Sequence, residues 1–273
     1  MKTVVVTLTD SAYFHKARRT IIDVRTRGKW TGDIVLICVG FNPNMNFCDF
    51  YNIIVLRVNH INTDRLMEQY KICPLNPTDD NRQYAKLTQW DKFTVFDSWF
   101  QQWEKVVYFD AGLRVLDDIH YLTDLPCDGV IMAPDDSAPY DNEKRFGVII
   151  ETDKNIPAVT ELFKEYSPDI LKERYFLNCV WMYDTALLKK VSFRDLEQAM
   201  NKYPICRCNE MTIMNLIFTF KHRVWRPFPE FADAENKKRL FGWTEWDRNY
   251  GTNKTWRDFC FLKYPCTINF DCD

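Results

Sequence analysis

Glycine is scarce in this chain. Only 8 of its 273 residues are glycine, whereas an average usage of roughly 7% would give about 19. No part of the sequence matches G-x-G-x-x-G, G-x-x-x-x-G-K-[ST] or G-x-S-x-G. The sequence therefore excludes a Rossmann dinucleotide loop, a P-loop and the nucleophile elbow of the α/β-hydrolases.

Patterns of metal-binding residues are also missing. The 4 histidines lie far apart and form no H-E-x-x-H motif, which argues against a His-rich metal site. The 10 cysteines lack the doubled C-x-x-C spacing of a zinc site. Because the first residues enter a predicted strand and lack the apolar core of a secretory signal, we expect reduced cysteines and a cytoplasmic protein.

Neither an excess of charge nor a long apolar run is present. Lys plus Arg is 36 and Asp plus Glu is 38, which gives a net charge of -2 and argues against nucleic acid as a partner. No apolar run reaches the roughly 18 residues that a membrane-spanning helix needs. Aromatic residues, by contrast, make up 15% of the chain, and a chain of this length can bury a large core.

The N-terminal part alternates short β-branched runs with an amphipathic segment. Residues 12–27 predict a helix that ends at Gly28. Buried strands are predicted at residues 3–9, 33–39 and 52–58. This alternation predicts an α/β fold with a central, mostly parallel sheet flanked by helices. Residues 59–81 contain prolines and polar residues and are predicted to be an irregular surface segment.

The remaining sequence continues this pattern and then changes. Residues 82–103 predict one long helix with an aromatic stripe toward the core, and residues 106–109 predict a buried strand. Further strands are predicted at 129–133, 146–151 and 178–184, and further helices at 156–166, 185–200 and 208–220. From about residue 225 to 273 the chain is aromatic-rich and predicted to be irregular. We predict one domain over residues 1–273.

Polar residues follow several of these strands, where open α/β sheets bind their ligands. They are Thr7 to Asp10 after the first strand, Asp110-Ala111-Gly112 after residues 106–109, and Asn178 beside the strand at 178–184. An aspartate before a glycine at a strand end can hold a metal-bound or ribose-bearing ligand. It can equally close the turn through its own backbone, and the spacing leaves both interpretations open.

The segment VVYFDAGLRVLDDIHYLTDL resembles the strand, loop and helix around the Asp-x-Asp motif of GT-A-fold glycosyltransferases. It looks most like glycosyltransferase family 8, which contains glycogenin and the bacterial galactosyl- and glucosyltransferases of lipopolysaccharide. Six other segments resemble that family in the same order, over roughly residues 3–256: VVTLTDSAYFHKA, the helix around Lys86, APDD, FLNCVWMYD, CNEMTIMNLIF and NYGTNKTW. The resemblance implies a GT-A fold and a nucleotide-sugar transferase.

The resemblance also implies a site. In the family's pattern, Tyr13 would stack on a uracil, Lys86 would face the sugar diphosphate, and Asn178 matches the amide of the F-N-[SA]-G strand. The donor-binding residues would be Leu8, Thr9, Tyr13, Lys86, Asp110, Ala111, Gly112, Gly251 and Lys254. The catalytic residues would be Asp110, Asn178, Glu210 and, in the acceptor-side loop, Asp136.

Two departures from the family concern its metal. The second aspartate of Asp-x-Asp is Gly112 here, and the metal-binding histidine is Arg248, so only Asp110 remains as an expected ligand of Mn²⁺ or Mg²⁺. Such hard cations want several oxygen ligands. Either Asp110, the diphosphate and water hold the ion, or cations of the protein replace it. The candidate cations are Lys254, Arg248, Lys86 and Arg114.

The predicted reaction is transfer of a sugar from a nucleoside diphosphate sugar, UDP-sugar favoured, to a hydroxyl of a glycan or protein acceptor. The resemblance implies retention of configuration. Glu210 stands where the family has a neutral amide, so Glu210, Asp135 or Asp136 could instead serve as the base of an inverting enzyme. Glu210 also suits the first turn of a helix on dipole grounds alone. Trp243 and Trp246 are the candidate acceptor contacts.

Two other functions fit the sequence less well. A nucleotidyltransferase of the same fold would open with a glycine-rich phosphate loop, which TLTDSAY lacks. A non-catalytic protein that binds a nucleotide sugar or a glycan would not need to keep both Asp110 and Lys254. All three functions involve the same class of ligand, sugars and sugar nucleotides.

Overall fold

The computed structural model describes residues 2–137, 144–243 and 258–263. Its strands are β1 Thr3–Thr9, β2 Asp33–Val39, β3 Ile53–Val58, β4 Lys105–Asp110, β5 Leu113–Val115, β6 Ile131–Ala133, β7 Val180–Asp184, β8 Trp225–Pro227, β9 Phe231–Asp233, β10 Lys238–Trp243 and β11 Phe259–Lys263. Its α-helices are α1 Phe14–Thr26, α2 Met45–Phe50, α3 Asp64–Ile72, α4 Arg82–Ala85, α5 His120–Thr123, α6 Ile156–Glu165, α7 Phe193–Lys202 and α8 Glu210–Met214.

A seven-stranded sheet forms the centre, in the order β3-β2-β1-β4-β7-β6-β8. The four strands from β3 to β4 are parallel, whereas β7 runs antiparallel to both β4 and β6. The expected mixed α/β fold with a mostly parallel central sheet is confirmed. Since β1, β2 and β4 are buried on both faces, their sequences are continuous apolar runs, without the alternation of a half-exposed strand.

Residues 82–103 differ from the predicted single long helix. Only α4 is α-helical, and 3-10 helices follow at Leu87–Phe96 and Ser98–Gln102. A side chain from a distant segment explains the break: the amide of Asn209 donates to the carbonyl oxygens of Arg82 (2.8 Å) and Lys86 (3.2 Å). A 3-10 helix has three residues per turn, so Trp90, Phe93 and Phe96 share one fully buried face.

Aromatic rings on this face join the helix to the central sheet. Phe96 stacks on Trp181 of β7 with ring centroids 5.0 Å apart and 14° between the planes. Trp181 stacks in turn on Tyr108 of β4, at 4.7 Å and 16°. Much of the chain's high aromatic content therefore serves the core, as the sequence predicts for the stripe in residues 82–103.

Other predicted elements were wrong in part. Residues 59–81 contain α3, and residues 146–151 form a 3-10 turn with an isolated bridge between Ile150 and Cys206 in place of a strand. The predicted helix at 185–200 is split into a 3-10 helix, Thr185–Lys189, and α7, which begins at a Ser192 capping box. The predicted helix at 208–220 is α8 followed by a π-helix, Asn215–Lys221.

The segment after residue 225 was expected to be irregular, but its described residues contain four strands. β8 completes the central sheet, and a second sheet has the order β5-β11-β10-β9. In that sheet β5, which directly follows β4, pairs antiparallel with β11, so that Leu113 lies opposite Lys263. Long-range pairing of this kind leaves little local signal in the sequence. Among the described residues, no helix is long and apolar enough to cross a membrane.

The stacked aromatic core predicts a clear stability difference between two phenylalanines. Phe96→Ala removes a fully buried ring and should cost about 3–5 kcal/mol of unfolding free energy, because a cavity remains among its neighbours. The matched control is Phe50→Ala, where the ring is 80% exposed, and it should change stability by less than about 0.5 kcal/mol. Urea unfolding followed by circular dichroism measures both. Equal losses in the two variants would contradict this account of the core.

Candidate functional site

A cleft lies at the carboxyl ends of β1 and β4. The parallel register places Leu8 beside Asp110, the last residue of β4. Six of the predicted donor-binding residues line the cleft: Leu8, Thr9, Tyr13, Lys86, Asp110 and Ala111. The structure therefore brings together side chains that lie about a hundred residues apart in sequence, at the edge where open α/β sheets bind ligands.

The loop after β1 is held in place by the carboxylate of Asp10. One oxygen accepts a hydrogen bond from the backbone N–H of Tyr13 (3.0 Å), and the other accepts from the hydroxyl of Thr88 (2.8 Å). The ring of Tyr13 remains 36% exposed, and the ammonium of Lys16 lies 4.8 Å from its centroid. The loop thus presents a partly exposed aromatic ring beside a positive charge.

The 3-10 helix Leu87–Phe96 supplies another wall of the cleft. Lys86, Gln89 and Lys92 all line it, since positions three residues apart fall on one side of a 3-10 helix. The neighbouring row of the same helix, Trp90, Phe93 and Phe96, carries the buried aromatic rings of the core. An α-helix has 3.6 residues per turn and would have turned Lys86 and Lys92 onto different faces.

Lys92 is the centre of a buried charged cluster. Its ammonium lies 2.8 Å from Asp110 Oδ1 and 2.8 Å from Glu210 Oε1, and only 6% of its side chain is exposed. The amide of Asn178 donates to the same Glu210 oxygen (2.7 Å). Lys263 Nζ lies 3.3 Å from Asp110 Oδ2. We call these five residues, Lys92, Asp110, Asn178, Glu210 and Lys263, the Lys92 cluster.

The fold explains why these five side chains meet. Since β7 pairs antiparallel with β4, Asn178, two residues before β7, lies near the end of β4, and the Asp110 N–H donates to the carbonyl of Cys179 (2.8 Å). Glu210 is the first residue of α8. Its predecessor, Asn209, has a left-handed φ of 46° and is fully buried. Three of the predicted catalytic residues therefore lie in one cluster.

Mutual neutralisation determines the protonation of the cluster. Burial disfavours the charged form of Lys92, but Asp110 and Glu210 outweigh that effect and raise its pKa. Burial likewise opposes ionisation of Asp110, yet Lys92 and Lys263 hold the pKa of Asp110 below its ordinary value. Burial dominates at Glu210 and raises its pKa. The cleft therefore presents an ionised Asp110 that is bound to two ammonium groups.

Several predicted residues lie elsewhere or make other contacts. Lys86 lines the cleft, but its ammonium forms an ion pair with Asp80 (2.8 Å). Arg114, a predicted diphosphate-binding cation, is instead buried in an ion pair with Asp23, with Nε and Oδ2 2.5 Å apart. A charge so enclosed cannot reach a ligand in the cleft, so this candidate is dropped.

The acceptor-side aspartates are both buried outside the lining of the cleft. Asp135 forms an ion pair with Arg174 (3.0 Å), and Asp136 accepts a short hydrogen bond from the hydroxyl of Tyr175. Gly251, Lys254, Arg248 and Trp246 lie outside the described residues, and of Trp243 only the backbone is described. Their predicted roles therefore stay predictions.

The described residues do not fit a divalent cation at Asp110. Asp110 Oδ1 accepts from Lys92 and from the hydroxyl of Tyr108 (3.0 Å), and Oδ2 faces Lys263. Gly112, where the resembling family has its second carboxylate, carries no side chain. No group of three His, Cys, Asp or Glu side chains suited to a metal occurs within residues 2–137, 144–243 and 258–263. Hard cations require several such oxygen ligands.

Sequence reasoning missed the two lysines of the cluster. Lys92 was hidden within a segment interpreted as an α-helix, although its spacing of three from Gln89 and of six from Lys86 matches a 3-10 face. The sequence around Lys263 gave no indication of its role. Lys263 lies 153 residues after Asp110 and reaches it through the pairing of β11 with β5.

The buried ion pairs predict a large stability loss when Lys92 is removed. Lys92→Met leaves two carboxylates facing each other in a buried site and should cost about 3–5 kcal/mol at neutral pH. The loss should shrink as the pH falls, since protonation of one carboxylate relieves the repulsion. Adding Glu210→Gln should recover part of the loss, whereas Lys164→Met, on an exposed pair, should cost under about 1 kcal/mol.

Urea unfolding at several pH values measures these effects. A loss for Lys92→Met that does not depend on pH, or a double variant less stable than the single one, would contradict the pairing described for the cluster.

No known protein-family profile and no curated protein sequence matches the chain. Solved structures do match. The galactosyltransferase LgtC, in complex with donor and acceptor sugar analogues, is 13% identical, with a TM-score of 0.58 over 96% of this chain and 86% of its own. A variant of LgtC in which an active-site glutamine is replaced by glutamate matches equally.

Mouse xyloside xylosyltransferase 1 is 11% identical over 99% of this chain and all of its own, with a TM-score of 0.52. The chain therefore has the GT-A fold that these glycosyltransferases share.

Proposed function

We propose that the protein is a glycosyltransferase that moves a sugar from a nucleoside diphosphate sugar to a hydroxyl of a glycan or protein acceptor. One observation carries the proposal: in a GT-A fold, the cleft at the ends of β1 and β4 gathers an exposed aromatic ring, a strand-end aspartate and several lysines. Such a set suits a ligand that combines a base, a diphosphate and a sugar. The similar LgtC structure holds donor and acceptor sugar analogues, which supports the same ligand class here.

The donor would lie along the cleft with its base at the β1 loop. A uracil would stack on Tyr13, on the ring face opposite Lys16, and backbone groups of Leu8 and Thr9 would contact it. The diphosphate would then extend toward Lys86 and Lys263, which both line the cleft. Lysine ammonium groups bind phosphate oxygens through charge-assisted hydrogen bonds, so this order matches the charges that line the cleft.

In the transfer, the bond between the sugar's anomeric carbon and the diphosphate oxygen breaks, and its electron pair leaves with the diphosphate. The acceptor hydroxyl oxygen forms the new bond to the anomeric carbon. We propose retention of configuration, with the hydroxyl proton passing to the departing diphosphate on the same face. The cationic side chains stabilise the negative charge that develops on the leaving group.

Glu210 fits a positioning role better than that of an inverting base. Its Oε1 is bound by both Lys92 and Asn178, and the residue is 2% exposed. A general base needs hydrogen-bond reach of the proton that it removes. We therefore propose that Glu210 orients Lys92 and Asn178 beside the reacting sugar.

Release of nucleotide from a panel of donors tests the proposed activity. The purified chain is mixed with UDP-, GDP-, ADP- and TDP-sugars, with and without added acceptor saccharides, and free nucleoside diphosphate is measured over time. We expect turnover with at least one UDP-sugar. If no donor is turned over, and calorimetry detects no binding of any nucleoside diphosphate, then the proposal is wrong.

Stacking on Tyr13 predicts a specific loss of nucleotide affinity. Tyr13→Ala should weaken UDP binding about 10-fold, because stacking of a base on an aromatic side chain is worth roughly 1–3 kcal/mol. Tyr121→Ala is the matched control, since Tyr121 is 37% exposed, close to the 36% of Tyr13, but lies outside the cleft. Calorimetric UDP affinity should be unchanged in the control. If both variants lose the same UDP affinity, or if Tyr13→Ala loses none, then the base does not stack on Tyr13.

A further inference from the structure

We infer that Lys92 and Lys263 take the place of a divalent cation in this site, so that the protein binds its nucleoside diphosphate donor without a metal. The inference rests on the proposed function, because it concerns the donor's diphosphate. It assigns a role to two residues that the resemblance to glycosyltransferase family 8 does not mark. It also goes against that family's pattern, which implies an ion held by Asp-x-Asp.

Both oxygens of Asp110, the residue that remains of the family's expected metal ligands, are already bound to protein cations. Lys92 lies 2.8 Å from Asp110 Oδ1, and Lys263 lies 3.3 Å from Oδ2. A divalent ion at Asp110 would have to displace an ammonium group or lie next to two of them. Like charges at such distances repel strongly when they are partly removed from water. Ammonium groups therefore occupy the positions that a metal would need.

The charges of the cluster also balance without a metal. Asp110 and Glu210 contribute two negative charges, and Lys92 and Lys263 contribute two positive charges. The family's pattern places a neutral amide at the position of Glu210 and a second carboxylate at the position of Gly112. Moving one carboxylate from the loop to Glu210 keeps the same negative charge but directs it at Lys92. The departures from the family's pattern at Gly112 and Glu210 thus have one physical explanation.

The backbone at Gly112 supports this explanation. Gly112 has a φ of 94°, a conformation that side-chain-bearing residues rarely adopt. Its N–H donates to the hydroxyl of Thr20 on α1 (3.0 Å), which fixes the turn. A Cβ at this position would meet the Lys16 side chain at an ordinary contact distance of 3.5 Å, so conformation rather than space disfavours an aspartate here. The turn therefore does not offer the second carboxylate of a metal site.

The two lysines have different tasks. Lys92 is buried and held by two carboxylates, so it orients Asp110 and Glu210 and stays in place. Lys263 lies in the lining of the cleft with 16% of its side chain exposed. Its contact with Asp110 is longer than that of Lys92, 3.3 Å against 2.8 Å, so the Lys263 ammonium is held less tightly by this carboxylate. Lys263 is thus the diphosphate-binding residue, and Lys92 is a positioning residue.

Calorimetric titration of UDP into the full chain tests the inference. With EDTA present, UDP should bind with the same affinity as with millimolar Mn²⁺. Lys263→Met should weaken UDP binding roughly 10-fold or more, because it removes a charge-assisted hydrogen bond. The control Lys172→Met removes an ammonium whose side chain is 85% exposed, and its UDP affinity should match the unsubstituted chain. Circular dichroism confirms that each variant is folded.

Binding of the metal itself gives a second readout that needs no activity. Free Mn²⁺ has a strong electron paramagnetic resonance signal, which falls when the ion is bound. The chain alone should leave that signal unchanged, and chain plus UDP should lower it no more than UDP alone does.

The outcomes separate this inference from the proposed function. If UDP binds only with Mn²⁺, or if the chain captures Mn²⁺, the inference is wrong and the proposed function stands. If UDP affinity is metal-independent but insensitive to Lys263→Met, the assignment of Lys263 is wrong. If no nucleoside diphosphate binds in either buffer, the proposed function itself fails.

Discussion

The ammonium group of Lys92 is the point on which the site depends. A lysine with 6% of its side chain exposed is tolerable only because two carboxylates lie 2.8 Å from it. Those carboxylates come from the end of β4 and the start of α8, so one ion-pair network ties the sheet to the C-terminal half. The same network orients Asp110, which lines the cleft, and binds the amide of Asn178 through Glu210. The same ion pairs therefore neutralise the buried charges and fix the geometry of the site.

The central sheet makes this pairing possible. Parallel β1 and β4 end at the same edge and bring Leu8 beside Asp110, and antiparallel β7 begins where β4 ends. The rings of Phe96, Trp181 and Tyr108 form a stack in the core that leads to the cluster. The hydroxyl of Tyr108 then donates to Asp110. The aromatic stack thus ends at the Tyr108 hydroxyl, which binds Asp110 in the proposed active site.

The second sheet adds a positive charge to the cleft. Through the pairing of β11 with β5, it carries Lys263 to within 3.3 Å of Asp110. This contact is the basis of the proposal that a protein cation takes the role of a metal here. The scarcity of glycine fits the same arrangement, since a diphosphate held by lysine side chains needs no glycine-rich loop. Gly112, with its positive φ, shapes the turn between the two sheets.

Much of the framework was predictable from local sequence. The apolar runs of β1, β2 and β4 predict buried parallel strands, and strand-end polarity points to Asp110 and Asn178. The sequence by itself determined the strands β1 to β4, the fold class and the edge of the sheet where polar residues gather, because those depend on short-range apolar patterns. Only the tertiary structure decided the 3-10 path of residues 87–96, the pairing of Glu210 with Lys92, and the approach of Lys263. These depend on contacts between distant segments, the amide of Asn209 and the pairing of β11 among them, and such contacts have no local periodicity to reveal them.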